Sequence, residues 1–188
     1  MKAWQTLCIT LLLFTFSSLT NAAEADIDPA LRDALKQAFA NSQSFEDRFA
    51  AEVWLTDMSG RTQRYVQDDI ERVEILRTVH AEAQRVELPV SLLLAVIHTE
   101  SLFNRFAVSV VGAQGLMQVM PFWKKEIGRE NDNLTNIHTN LRYGSTILKH
   151  YLTRSKGNLT EALARYNGSY GKTWYPEKVY KNQRRYRE

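Results

Sequence analysis

The sequence predicts a mainly α fold with little or no sheet, organised around one central buried helix. Two patterns predict it. Apolar residues recur at helical spacing, as in Val73, Leu76, Val79 and Ala83, or Ile137, Leu141, Leu148 and Leu152. The stretch from Pro89 to Ser101, with Leu92-Leu93-Leu94-Ala95-Val96-Ile97 at its centre, is apolar on nearly every side, as a helix enclosed by its own domain must be. Strand character is confined to Val108–Val111. A chain of 188 residues, 44% apolar and 24% charged, is long enough for one substantial core and has neither fibrous nor disordered bias.

Residues 1–23 read as a cleaved signal peptide. Lys2 precedes the apolar run Leu7–Phe16, and Thr20-Asn21-Ala22 or Ala23-Glu24-Ala25 suits signal peptidase. The run is short for a membrane span. Cys8, the single cysteine, sits too early in it to carry a lipid, so the expected product is an exported periplasmic protein and not a lipoprotein. Without Cys8 the mature chain has no thiol for a disulfide or a thiolate metal site.

Residues 24–70 read as an N-terminal helical extension. Asp28-Pro29 supplies a cap and a first-turn proline before Leu31, Leu35 and Phe39. Ser44 opens a second stretch with Phe45, Phe49 and Val53 on one face, which Asp57-Met58-Ser59-Gly60 breaks. The main domain spans residues 71–175, its first helical pattern starting near Asp69 and interrupted by Leu88-Pro89. After the central helix, Pro121 opens a short helix ending near Gly128, and Asn131-Asp132-Asn133 is a loop. A long helix runs from Asn136 to about Ser155, and Gly157 closes it. Asn158 with Glu161 three residues on resembles a capping box for the last helix. Residues 176–188 read as a basic C-terminal tail. With Lys172 just before it, the tail sets Lys178, Lys181, Arg184, Arg185 and Arg187 against Glu177 and Glu188. It is read as solvated, or as a docking segment for an anionic polymer. The net charge of +3, one less without Lys2, is too small to argue for nucleic acid.

Glu100 is the acidic residue of interest, since no other lies between Leu88 and Lys125. A carboxyl ending a buried apolar helix loses hydration, and its pKa rises toward the range useful to a general acid. A structural glutamate, capping the next turn or paired with Arg105, is the other reading, and the residues leave both open. The following stretch suits a ligand-lining loop. Gly112 and Gly115 permit unusual backbone, and Ser109 and Gln118 offer neutral hydrogen bonds. Met117 and Met120 supply adaptable apolar surface, though core packing explains methionines as well. His98, two residues before Glu100, points elsewhere on a helix and reads as a packed histidine. No His-Glu-x-x-His pair, nucleophile elbow or phosphate loop appears, so no metal and no cofactor are expected.

These residues resemble a known family. Glu100-Ser101-Leu102-Phe103, Ala107, Ser109, Gly112-Ala113 and Gly115-Leu116-Met117-Gln118-Val119-Met120-Pro121 resemble the signature of the soluble lytic transglycosylases, bacterial enzymes with a lysozyme-like helical fold related to goose-type lysozymes. Ala164-Arg165-Tyr166-Asn167-Gly168 resembles a second motif of that family. The resemblance runs from about Ile75 to Tyr175. It implies Glu100 as the single catalytic acid and then base. Ser109 would bond the saccharide near the cleavage point, Gln118 and Met120 would line the glycan groove, Tyr166 would orient the Glu100 carboxyl, and Asn167 would support its loop. Val111 stands where some members carry a second serine, and Tyr-Asn-Gly-Ser replaces the commoner Tyr-Asn-Ala-Gly.

The implied substrate is the glycan strand of peptidoglycan, cleaved at the β-1,4 bond between N-acetylmuramic acid and N-acetylglucosamine to leave 1,6-anhydromuramic ends. Most glycosidases need two carboxylates. Attack by the substrate's own C6 hydroxyl removes the need for the second. Goose-type lysozymes, which use water, commonly place an aspartate where Met120 stands. An inactive wall-binding module is the non-enzymatic alternative. Cell-wall or secretion-machinery proteins are further partners that the resemblance allows.

Overall fold

The structure, a computed structural model, describes residues 48–187. The signal-peptide reading, the helix expected at Asp28–Phe39, and Ser44 with Phe45 lie outside the described residues. Within them there are seven helices and no strand. They are α1 (Arg48–Thr62), α2 (Asp69–Val86), α3 (Val90–Ser101), α4 (Trp123–Ile127), α5 (Ile137–Arg154), α6 (Leu159–Tyr166) and α7 (Trp174–Gln183). The mainly α expectation holds. Val108 makes an isolated bridge to Gln114, which bridges in turn to Val119, and no strand develops among the described residues.

The helix ends follow local chemistry. Asp68, Asn136 and Asn158 each accept a backbone N–H from three residues on, capping α2, α5 and α6. Glu87 in the left-handed region ends α2, and Pro89 starts α3. Helix packing closes a ring in which α2 meets α3, α3 meets α7, α7 meets α6, α6 meets α5, and α5 returns to α2. Leu92 through Ile97 are all at most 1% exposed, so α3 is the buried centre that its composition predicts. Glu82 ties α2 to α5 through Arg142, at 2.6 Å, and Ser145, at 3.1 Å.

Two expectations are overturned. Asp57–Gly60 does not break the first described helix, because α1 continues to Thr62. Its inner face is Ala51, Trp54, Leu55, Met58 and Thr62, whereas Phe49 and Val53 are 71% and 55% exposed. Burying Trp54, Leu55 and Met58 outweighs the roughly 1 kcal/mol that one glycine costs a helix. Ser59 also gains a partner, accepting the Arg72 Nε–H at 2.9 Å.

The basic C-terminal segment is not a solvated tail. Residues 174–183 form α7, and Tyr175, Val179 and Tyr186 join the core. Their spacing of four and seven residues is an apolar stripe hidden among cations.

Candidate active site

Glu100 occupies the last turn of α3, where the buried helix reaches the surface. Its chain direction then changes sharply. Leu102 and Phe103 both take positive φ, at 52° and 65°, a conformation that strains side-chain-bearing residues and recurs at functional sites. Phe103 is fully buried against Tyr65, His98 and Tyr186, which holds the turn in place. Ser101 Oγ donates to the Leu116 carbonyl at 2.8 Å, tying the end of α3 to the glycine-spaced loop.

Burial pushes the Glu100 pKa from 4.5 up to about 7, against a smaller opposing pull from a tyrosine hydrogen bond and the Lys178 charge. That hydroxyl belongs to Tyr175, which donates to Glu100 Oε1 at 2.6 Å. Among the described residues, no acidic group acts on Glu100. The structural alternative of pairing with Arg105 fails, since Arg105 faces Glu71 at 3.7 Å. The carboxyl is thus partly buried, directed by one donor, and able to hold or release a proton near neutrality.

Tyr166 was expected to orient this carboxyl, and the geometry differs. Its hydroxyl donates to the Met117 carbonyl at 2.7 Å, anchoring the loop to α6. Burial, followed by the charge of Glu100, raises both Tyr166 and Tyr175 well above the ordinary tyrosine value. The two phenols therefore stay protonated near Glu100, with Tyr175 in direct contact and Tyr166 bonded to the loop instead. Tyr175 escaped the sequence reading because it falls where the domain was expected to end. Its signal was the apolar repeat Tyr175, Val179, Tyr186.

The loop from Phe103 to Met120 is built by its own hydrogen bonds. Ser109 Oγ accepts the Ala113 N–H at 3.0 Å, leaving the hydroxyl hydrogen to donate. Gln118, at φ 48°, donates through Nε2 to the carbonyls of Ala107 and Gly115 at 3.1 and 3.0 Å. Its carbonyl oxygen is thus the group it can offer a ligand. Met120 is partly exposed. Asn167 forms the C-cap of α6.

A second residue missed in the sequence is Asn140, fully buried on α5. Its Oδ1 accepts the Met117 N–H at 2.8 Å, and its Nδ2 donates to Gln114 and Leu134 carbonyls at 2.8 and 2.7 Å. Gly115, at φ 76°, permits this approach, because a Cβ there would collide with the Asn140 amide and the Leu134 carbonyl. The available signal was a polar residue three positions after Ile137, on the inner face of α5.

His98 is packed, as expected, with Nδ1 2.6 Å from the Tyr186 hydroxyl and Nε2 3.3 Å from that of Tyr65. Burial, reinforced by the charges of Arg185, Arg64 and Lys178, lowers its pKa to about 4. No group of three or more metal-ligating side chains occurs among the described residues. At the rim, Trp174 is 53% exposed, with its ring edge-on to Tyr175.

Comparison with known proteins adds three findings. The family model described as the transglycosylase SLT domain matches residues 77–187, more than half of the chain. The transglycosylase of Enterobacteria phage PRD1 is 35% identical over 113 residues, covering 56% of this chain and 41% of the phage protein. The chain thus spans less than half the length of that relative. Among solved structures, an inactive mutant of the lytic transglycosylase Slt from Pseudomonas aeruginosa aligns with a TM-score of 0.48 at 20% identity, over 74% of this chain and 30% of that one.

Proposed function

The chain belongs to the transglycosylase SLT domain family, and from that premise we propose that it is an exported lytic transglycosylase of peptidoglycan. It cleaves the β-1,4 bond between N-acetylmuramic acid and N-acetylglucosamine. The observation that carries this reading is the Glu100 carboxyl, pushed up to about 7 by burial and contacted by a tyrosine, with no acid among the described residues acting on it.

Protonated Glu100 donates its proton to the leaving glycosidic oxygen. The 2-acetamido group of the muramic residue stabilises the positive charge developing at C1. Glu100, now a carboxylate, accepts the proton of the muramic C6 hydroxyl as that oxygen attacks C1 and closes the 1,6-anhydro ring. The attacking group is tethered to the reacting sugar, and such attack reaches effective molarities on the order of 10⁵ M or more. No water has to be positioned, so one carboxylate suffices.

The Tyr175 hydroxyl steadies Glu100 in both roles. It strengthens its bond to the carboxylate after proton donation and limits how far burial raises the pKa. Ser109 donates to the saccharide, Gln118 offers its amide oxygen, and Met120 gives an apolar contact. Tyr166 and Asn167 hold the wall of the groove. Incubating purified sacculi with the mature protein and following release of soluble muropeptides tests this reading. Release is expected, and Glu100→Gln abolishes it; an undiminished rate in that variant contradicts the assignment.

A further inference from the structure

Helix α7 has an inner face that is fully engaged. Tyr175 reaches Glu100, Asn182 Nδ2 donates to Thr99 Oγ1 at 2.9 Å, and Gln183 Nε2 donates to Ser91 Oγ at 3.3 Å. Beyond the helix, Arg61 Nη1 donates to the carbonyls of Arg185 and Arg187 at 2.9 and 3.0 Å. The segment is therefore fixed along α3, with its N-terminal end at the Glu100 carboxyl.

Its flank is different. Lys178 and Lys181 fall at i and i+3 on one side of α7, Arg185 follows in the turn just past its end, and all three are exposed. None has an ion-pair partner among the described residues, whereas Arg61, Arg72, Arg85, Arg142 and Arg165 each meet an acidic side chain. The row begins one turn after Tyr175. The Lys178 charge acts on both Glu100 and His98, and the charges of Arg185 and Arg64 act on His98. The cations thus run beside α3, away from the site. Neutral sugars give such a row nothing to pair with.

We infer that Lys178, Lys181 and Arg185 form a docking ridge for the carboxylates of the stem peptide carried by the muramic residue near the cleaved bond. The inference rests on the reading of the site as peptidoglycan-cleaving and adds which part of the substrate is recognised. A muramic residue carries either a single free lactyl carboxylate or, in its place, a peptide with several. One carboxylate can meet one cation. A helical rise of 1.5 Å per residue puts Lys181 about 4.5 Å along α7 from Lys178, and Arg185 follows in the turn beyond the helix. An extended peptide advances about 3.3 Å per residue, so a few of its residues reach all three. Three exposed ion pairs are together worth an affinity gain on the order of ten-fold, reduced by salt.

Equilibrium binding of the Glu100→Gln full-length mature chain to soluble glycan strands tests the ridge without turnover. Three strands are compared: peptide-bearing, peptide-bearing with every carboxylate amidated, and amidase-stripped with free lactyl carboxylates. Peptide-bearing strands are expected to bind about ten-fold tighter than either other strand at low salt. Adding Lys178→Gln, Lys181→Gln and Arg185→Gln should erase that preference, while Lys178→Arg with Lys181→Arg should keep it. Equal binding of peptide-bearing and amidated strands, or a preference surviving the triple change, overturns the ridge. Stripped strands binding as tightly as peptide-bearing ones overturn it in favour of the lactyl carboxylate. A wild-type chain that binds and cleaves no strand overturns the reading of the site, and the ridge with it.

Discussion

The Tyr175 hydroxyl donates to Glu100 Oε1 across 2.6 Å, joining the end of the buried helix α3 to the start of α7, 75 residues away in sequence. This bond favours the charged carboxylate, and burial favours the neutral acid. The outcome, near 7, lets one group serve as acid and then base.

Removing that hydroxyl therefore has a signature beyond lost rate. Tyr175→Phe should lower kcat by roughly ten- to a hundred-fold, since the carboxyl loses its orientation. It should also move the alkaline fall in activity to higher pH, because the opposing pull on Glu100 disappears. A pH–rate profile of the two proteins checks both. A slower variant with an unmoved profile would reduce Tyr175 to a packing role.

Glu100 also makes stability depend on pH. Its folded pKa, about 7, lies above the ordinary 4.5, so the folded state holds more protons between those values. Its contribution is then fully present below pH 4.5 and is lost as pH rises through 7. The loss is at most about 3 kcal/mol, and less for a carboxyl still touching water. His80 and His98, both lowered from 6.5 to about 4, work the opposite way, gaining stability as pH rises through that window. The difference between wild type and Glu100→Gln isolates the carboxyl. In thermal melts the variant should gain several degrees on wild type at pH 8 relative to pH 4. An unchanging gap between the two melting curves contradicts the burial argument.

Asn140 should prove as important to the loop as any residue on it. Asn140→Leu removes three hydrogen bonds and leaves the Met117 N–H and the Leu134 carbonyl without partners, while the Gln114 carbonyl keeps the Val119 N–H. The expected cost is about 2–5 kcal/mol. Urea unfolding measures it, and a loss below about 1 kcal/mol would show that the loop closes without this side chain.

Truncation after Gln183 distinguishes a packed C-terminal segment from a free tail. It deletes Tyr186, 3% exposed against His98 and Phe103, together with the carbonyls held by Arg61. Loss of a buried aromatic costs about 3–5 kcal/mol. Activity should fall as α7 loosens and Tyr175 leaves Glu100. A truncated protein as stable and active as the full chain would contradict this packing.

The parts legible in the sequence were those set by local chemistry. The buried helix was visible as an uninterrupted apolar run, the helix from Asn136 through the spacing of Ile137, Leu141, Leu148 and Leu152, and Asn158 announced its helix through capping. Glu100 stood out because its surroundings hold no other acid. What was missed depends on distant contacts. Gly60 signals a break until Trp54, Leu55 and Met58 are seen to pack inward. Val179 and Tyr186 look like part of a basic tail, and Tyr175 like the end of the domain, until α7 is laid along α3. Tyr166 and Tyr175 are both tyrosines near the acid, and only the fold shows which hydroxyl touches it.

The central claim is that the substrate's own C6 hydroxyl, and not water, attacks C1. Mass spectrometry of muropeptides released from purified sacculi tests it most directly. The account predicts muramic ends one water lighter than reducing ends, lost altogether in Glu100→Gln. Reducing muramic acid as the primary product would contradict it and make the protein a hydrolase.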